Sequence, residues 1–68
     1  KEYFNMIAQN IKKYRKKRGA SQDKLSKLAG ITYNTIIKIE SDATLNPRVE
    51  TLRLIAKALD VTVDSLLK

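Results

Sequence analysis

Cysteine and histidine are both missing from this 68-residue chain. Their absence removes disulfides, the usual zinc sites, and thiol or imidazole chemistry together. Glycine occurs twice and proline once, which leaves little material for long loops and favours helices. No apolar run approaches the ~18 residues of a membrane span. No stretch has the basic start, apolar run and small-residue cleavage site of a secretion signal. Internal repeats, low-complexity tracts and strand-like alternation of any useful length are also lacking. The chain begins at Lys1 rather than a methionine, so a trimmed start is expected. Lys68 follows directly on a helical pattern, so further chain beyond it is expected as well.

Acidic residues are few relative to basic ones. Seven Asp and Glu stand against 14 Lys and Arg, a formal net charge of +7. A small basic domain favours a polyanionic partner, because phosphates release counterions when cations replace them. Solubility alone is the competing explanation, since lysine-rich surfaces are common. Apolar residues make up 43% and charged residues 31%, an ordinary globular balance rather than a disordered one. Residues 1–68 are expected to form one domain. A chain this short buries only about 60% of its unfolded surface, so its core is modest.

Apolar spacing and cap residues predict an all-α chain of five helices, at about 3–18, 22–29, 33–41, 47–59 and 63–67. In the first, Phe4, Ile7, Ile11 and Tyr14 recur at helical spacing, and Gly19 supplies a left-handed stop. Ser21 caps the second, with Asp23 in its first turn, Leu25 and Leu28 as its buried stripe and Gly30 at its end. Thr32 caps the third. Asn46-Pro47 reads as cap and first residue of the fourth, whose apolar face is Val49, Leu52, Ile55, Ala56 and Leu59. Thr62 caps the fifth. Three caps carry an apolar residue before them and another at the fourth helical position: Ala20 with Leu25, Ile31 with Ile36, and Val61 with Leu66. These read as hydrophobic staples.

Residues 21–40 carry the functional signal. Two short helices joined by Gly30, Ile31 and Thr32 have the form of a helix-turn-helix. Ser26 is small where the two helices must cross closely, and its hydroxyl needs a partner. Ile31, Ile36 and Ile39 hold the third helix to the core. Tyr33, Asn34, Ile37, Lys38 and Ser41 share its opposite face. That face suits the base edges of a major groove: an amide pairs with adenine, an ammonium donates to guanine, and an aliphatic side chain meets a thymine methyl. An ordinary solvated helix face is the alternative, against which the exposed Ile37 argues.

Five stretches together resemble the Cro and phage-repressor type of helix-turn-helix regulators. They are Ile-Lys-Lys-Tyr-Arg-Lys-Lys-Arg-Gly at 11–19, Ser-Gln-Asp-Lys-Leu-Ser-Lys-Leu-Ala-Gly-Ile-Thr at 21–32, Thr-Ile-Ile-Lys-Ile-Glu at 35–40, Asn-Pro-Arg-Val-Glu-Thr-Leu with Ile-Ala-Lys-Ala-Leu at 46–59, and Val-Thr-Val-Asp-Ser-Leu-Leu at 61–67. The resemblance implies a compact five-helix bundle of the lambda-repressor-like kind. It implies base reading by Tyr33, Asn34, Ile37 and Lys38. It also implies that Gln22 contacts a phosphate and supports the recognition helix, with Thr32 and Thr35 as backbone-contacting neighbours and Thr44, Asn46 and Arg48 in the loop after the third helix. Ser21 stands beside Gln22 at a helix N-terminus and is added on that physical ground. Arg15 and Glu40 match a family ion pair that ties the first helix to the third.

Two positions depart from the family pattern. Asp42 stands where a glycine is usual, and Ala43, Thr44 and Leu45 are neutral where a Lys or Arg is frequent. The phosphate grip is therefore expected to lean on Arg48 and the first helix. The run Lys12, Lys13, Arg15, Lys16, Lys17 and Arg18 wraps around its helix rather than lining one face. It reads both as a complement to the helix dipole and as a phosphate-facing flank.

These readings lead to one expectation: a repressor that binds double-stranded DNA at a palindromic operator as a homodimer, in the cytoplasm with the nucleoid. Helix five is the expected dimer surface, since the adjacent Leu66 and Leu67 cannot both face one core. A protein-binding module on the same fold, such as an antitoxin or anti-repressor partner, is the alternative. Catalysis is not expected, because there are no paired carboxylates at site spacing and no phosphate-cradling glycine loop. No cofactor, metal, membrane or small-molecule ligand is expected.

Overall fold

A computed structural model describes residues 2–41 and 47–68, the first four of these by backbone alone. Among the described residues all regular structure is helical: α1 Glu2–Lys17, α2 Gln22–Ala29, α3 Tyr33–Glu40, α4 Val49–Leu59 and α5 Val63–Leu67. α1 packs against α3, α4 and α5, α2 against α3 and α4, and α4 against α5. The core between them is built from Ile7, Ile11, Leu25, Ile36, Ile55 and Leu66, with Ala29, Ile39, Leu52, Ala56 and Leu59 around these. None of the described helices is long and apolar enough to cross a membrane.

Each helix boundary has a local chemical cause. α1 stops in a Schellman motif. The Ala20 N–H donates to the Arg15 carbonyl at 3.1 Å and the Gly19 N–H to the Lys16 carbonyl at 2.9 Å. Gly19, at φ 74°, takes the left-handed conformation this closure requires. Gly30 does the same for α2 at φ 71°. Ser21, Thr32 and Thr62 each accept a hydrogen bond from the backbone N–H three residues on, at 3.0, 3.3 and 3.0 Å. Each bond satisfies one of the free donors at a helix start.

The apolar members of the three staples behave unequally. Leu25, Ile36 and Leu66 are fully buried, and Ile31 and Val61 pack against them from their half-buried places before the caps. Ala20 contributes its carbonyl oxygen instead, which accepts from Arg15 Nη1 at 2.9 Å.

Four expectations need correction. Leu28 is 48% exposed. The buried face of α2 is centred on Leu25, Ser26 and Ala29, because this short helix is clasped between α3 and α4 and Leu28 falls at the rim. α4 begins at Val49, with Arg48 as its N-cap and Pro47 outside the helix. The Arg48 carbonyl takes the first helical bond from Leu52 at 3.0 Å, and Leu52 is the first residue of the buried face. Val49, expected on the apolar face, is 63% exposed. Asn46, the expected cap, lies outside the described residues, and so does the side chain of Phe4. Finally, Leu66 is fully buried, so it is unavailable to any dimer surface, and of the two leucines only Leu67 remains exposed.

Asp60 closes α4 in a second Schellman motif, with Val61 N–H on the Ala56 carbonyl at 2.9 Å and Asp60 N–H on the Lys57 carbonyl at 3.1 Å. It is the one non-glycine residue of positive φ among those described, at 59°. A side chain is disfavoured there, although Asp tolerates it better than most. Replacing Asp60 by Gly is expected to add roughly 0.5–1 kcal/mol of stability. A thermal melt should show this as a midpoint about 2–8 °C higher.

Candidate nucleic-acid interface

α2 and α3 are joined by the Gly30 turn and pack against each other. Ser26 is buried, and its hydroxyl donates to the Asp23 carbonyl at 2.6 Å. The extra polar atom is therefore satisfied within α2 and does not disturb the close approach.

α3 is strongly two-sided. Ile36, Ile39 and Glu40 are buried. Tyr33, Asn34, Lys38 and Ser41 are exposed and Ile37 is half-buried. The four residues expected to read bases are thus brought together on one side of one helix. Their aliphatic member, Ile37, is half-buried rather than exposed, which corrects the expectation of an exposed isoleucine on this face. Ser41 caps its own end of the helix, its hydroxyl donating to the Lys38 carbonyl at 3.2 Å.

Of the residues assigned to phosphates, Ser21, Thr32 and Arg48 are exposed and Gln22 and Thr35 half-buried. Ser21 is exposed, and its hydroxyl oxygen is engaged with the Lys24 N–H at 3.0 Å. Thr32 and Thr35 stand one turn apart with their hydroxyls 2.8 Å from each other. Arg48 is exposed at the start of α4 and makes no side-chain cap. Its cation sits at the positive end of the helix dipole, an arrangement that does nothing for α4. Thr44, Asn46 and the unusual Asp42 lie outside the described residues. Among the described residues no three carboxylates come close enough together to hold a metal ion.

Arg15 and Glu40 form a bidentate pair, with Arg15 Nε 2.6 Å from Glu40 Oε2 and Nη2 3.0 Å from Oε1. The side chains are 11% and 2% exposed. Arg15 Nη1 reaches the Ala20 carbonyl at 2.9 Å. Gln22, the first residue of α2, completes the cluster by donating its Nε2 to Glu40 Oε1 at 3.0 Å. One buried carboxylate therefore receives three donors, and no buried side-chain polar atom among the described residues lacks a partner. The resemblance gave Gln22 a phosphate and a supporting role for the third helix, but did not identify Glu40 as its partner there. The two residues are 18 positions apart, and nothing local links them. The bond from Asn10 Nδ2 to the Leu66 carbonyl, 3.0 Å, was missed for the same reason; it holds α5 to α1.

Removing one side of a buried, hydrogen-bonded pair leaves the other charge without a partner, at a cost of about 3–5 kcal/mol. Glu40→Ala is expected to lower stability by that amount, enough to unfold much of a domain this small. The double substitution Arg15→Met with Glu40→Leu should recover most of the loss. Thermal melts of both variants test this, and an unchanged midpoint for Glu40→Ala would contradict it.

Comparison with known proteins places this arrangement. A family model described as helix-turn-helix matches residues 11–66. The chain is 39% identical over 62 residues to the HTH-type transcriptional regulator SinR of Bacillus subtilis (strain 168), a match that covers 91% of this chain and 56% of the relative. It thus spans about half the length of that relative. Its structure is similar to that of the master regulator for biofilm formation SinR in complex with DNA, with a TM-score of 0.88 and 37% identity over 91% of this chain and 98% of that one. The restriction-modification controller protein C.AhdI from Aeromonas hydrophila, 23% identical, shares the fold at a TM-score of 0.89 over 97% of this chain and 98% of that one.

Proposed function

The chain belongs to the helix-turn-helix family whose model spans residues 11–66, and from that membership we propose that it binds specific sequences of double-stranded DNA as a transcriptional regulator. The observation that carries the proposal is the two-sided α3. Ile36 and Ile39 anchor it, while Tyr33, Asn34 and Lys38 project from the other face with Ile37 at its edge. A helix of eight residues is about 12 Å long, and the major groove is wide enough to admit it.

In this reading Asn34 and Lys38 are the hydrogen-bonding readers, Tyr33 adds a hydroxyl and a ring, and Ile37 offers methyl groups to thymine. Ser21, Gln22, Thr32, Thr35 and Arg48 fix the register on phosphates, which sets orientation without carrying sequence information. Thr44 and Asn46 belong to the same group on sequence grounds. The 68 residues act as one DNA-binding unit, and the action is binding rather than catalysis. One copy covers few base pairs. Two copies on a palindrome, with half-sites about 34 Å apart, give the specificity of a repressor, and the exposed Leu67 leaves α5 as the candidate contact between them. The place of action is the cytoplasm, where the DNA lies.

Selection from a random duplex library tests the proposal. One palindromic winner should emerge, binding about 10³-fold or more above a scrambled duplex, and Asn34→Ala should relax one base position. Weak binding that is equal for both duplexes and disappears with salt would leave only non-specific attraction. A protein partner would then be the better reading. A monomeric mass on the selected duplex would overturn the dimer.

Arg48 supplies a separate test, because its helix and its ligand make opposite demands. Arg48→Ser is expected to cap α4 and raise stability by roughly 0.5–1 kcal/mol. The same change should weaken binding on all sequences alike and reduce the salt slope by about 1. Calorimetry and salt titration of this variant read the two effects independently.

A further inference from the structure

We propose that Glu40 is a positioning residue for DNA binding, acting through Gln22 in addition to its ion pair with Arg15. This rests on the DNA-binding reading above and extends it to the coupling between backbone grip and base reading. Glu40 Oε1 accepts both Arg15 Nη2 and Gln22 Nε2, each at 3.0 Å. An ionised carboxylate only accepts hydrogen bonds, so it fixes which end of the Gln22 amide points inward. The NH₂ group faces Glu40, and its second N–H together with the amide oxygen remains for other partners. Gln22 is half-buried at the first residue of α2, so part of its side chain reaches the surface, where the remaining N–H is available to a phosphate oxygen.

A free Gln side chain loses up to about 2 kcal/mol of rotamer entropy when it is ordered. Here the ordering is complete before DNA arrives, which leaves more of the contact to appear as affinity. The bond also joins two functions. Glu40 is the last residue of α3 and Gln22 the first of α2, so a tilt of the reading helix on a mismatched sequence moves the acceptor that holds the phosphate-contacting amide. Base reading and backbone grip are thereby coupled through one oxygen atom.

The test has two arms. In the unmodified DNA-free protein, NMR relaxation of the side-chain amides should show Gln22 ordered and the exposed Gln9 mobile. Gln22 as mobile as Gln9 would overturn the proposal, and this arm needs no variant to fold. The second arm is a double-mutant cycle of Gln22→Ala and Glu40→Asp, which keeps a carboxylate but shortens its reach to Arg15 and Gln22 alike, so that only the coupling between the two sites reports on Gln22. With the selected duplex, well below each melting temperature, Glu40→Asp should weaken binding about three- to tenfold more with Gln22 present than in the Gln22→Ala background. A purely structural Glu40 would weaken both backgrounds equally, and that result would sink the proposal while leaving the DNA-binding reading intact. Failure of the protein to prefer any duplex would remove both.

Discussion

The Glu40 carboxylate is the group on which the arrangement of the first three helices turns. It sits at the last residue of α3 with almost no contact to water, where an unmatched charge would cost several kcal/mol. Matching it requires the Arg15 guanidinium from α1 and the Gln22 amide from α2 to arrive at the same place. Arg15 can do so only because α1 ends where it does. The Arg15 carbonyl accepts the Ala20 N–H while the Arg15 side chain donates to the Ala20 carbonyl. The α1–α2 corner is thereby clasped from both sides. An apolar contact has no such directional demand, so this cluster fixes geometry more narrowly than the isoleucines around it.

The remainder of the fold is held by many small and mutually consistent terms. A core of a dozen aliphatic side chains is modest for any domain. Serine and threonine caps, left-handed closures and the half-buried Ile31 and Val61 secure the ends that so small a core does not reach. Two places break the pattern. Asp60 occupies a conformation better suited to glycine, and Arg48 starts α4 with neither a cap nor a favourable charge. Arg48 lies among the residues assigned to phosphates, where a locally poor helix start is an acceptable cost for a cation. The structure offers no comparable reason for Asp60.

Much of this was readable in the amino-acid order alone, because the determinants are local. Ser21, Thr32 and Thr62 announce helix starts through side chains that bond within three residues, and Gly19 and Gly30 announce stops through a backbone freedom that other residues lack. The spacing of Ile36 and Ile39 against Tyr33, Asn34 and Lys38 defines the two faces of α3 before any neighbour is considered. Tertiary packing decided what local rules leave open. Leu28 and Val49 satisfy the helical spacing, yet they lie exposed because no element of the described structure covers them. Leu66 and Leu67 are adjacent, and although the staple with Val61 singles out Leu66, it is the placement of α5 against α1 and α4 that buries it completely and leaves Leu67 outside. The bond between Gln22 and Glu40 belongs to neither helix by itself. It exists because chain segments 18 residues apart meet at one carboxylate, and the burial of that charge, rather than any local preference, determines who its partners are.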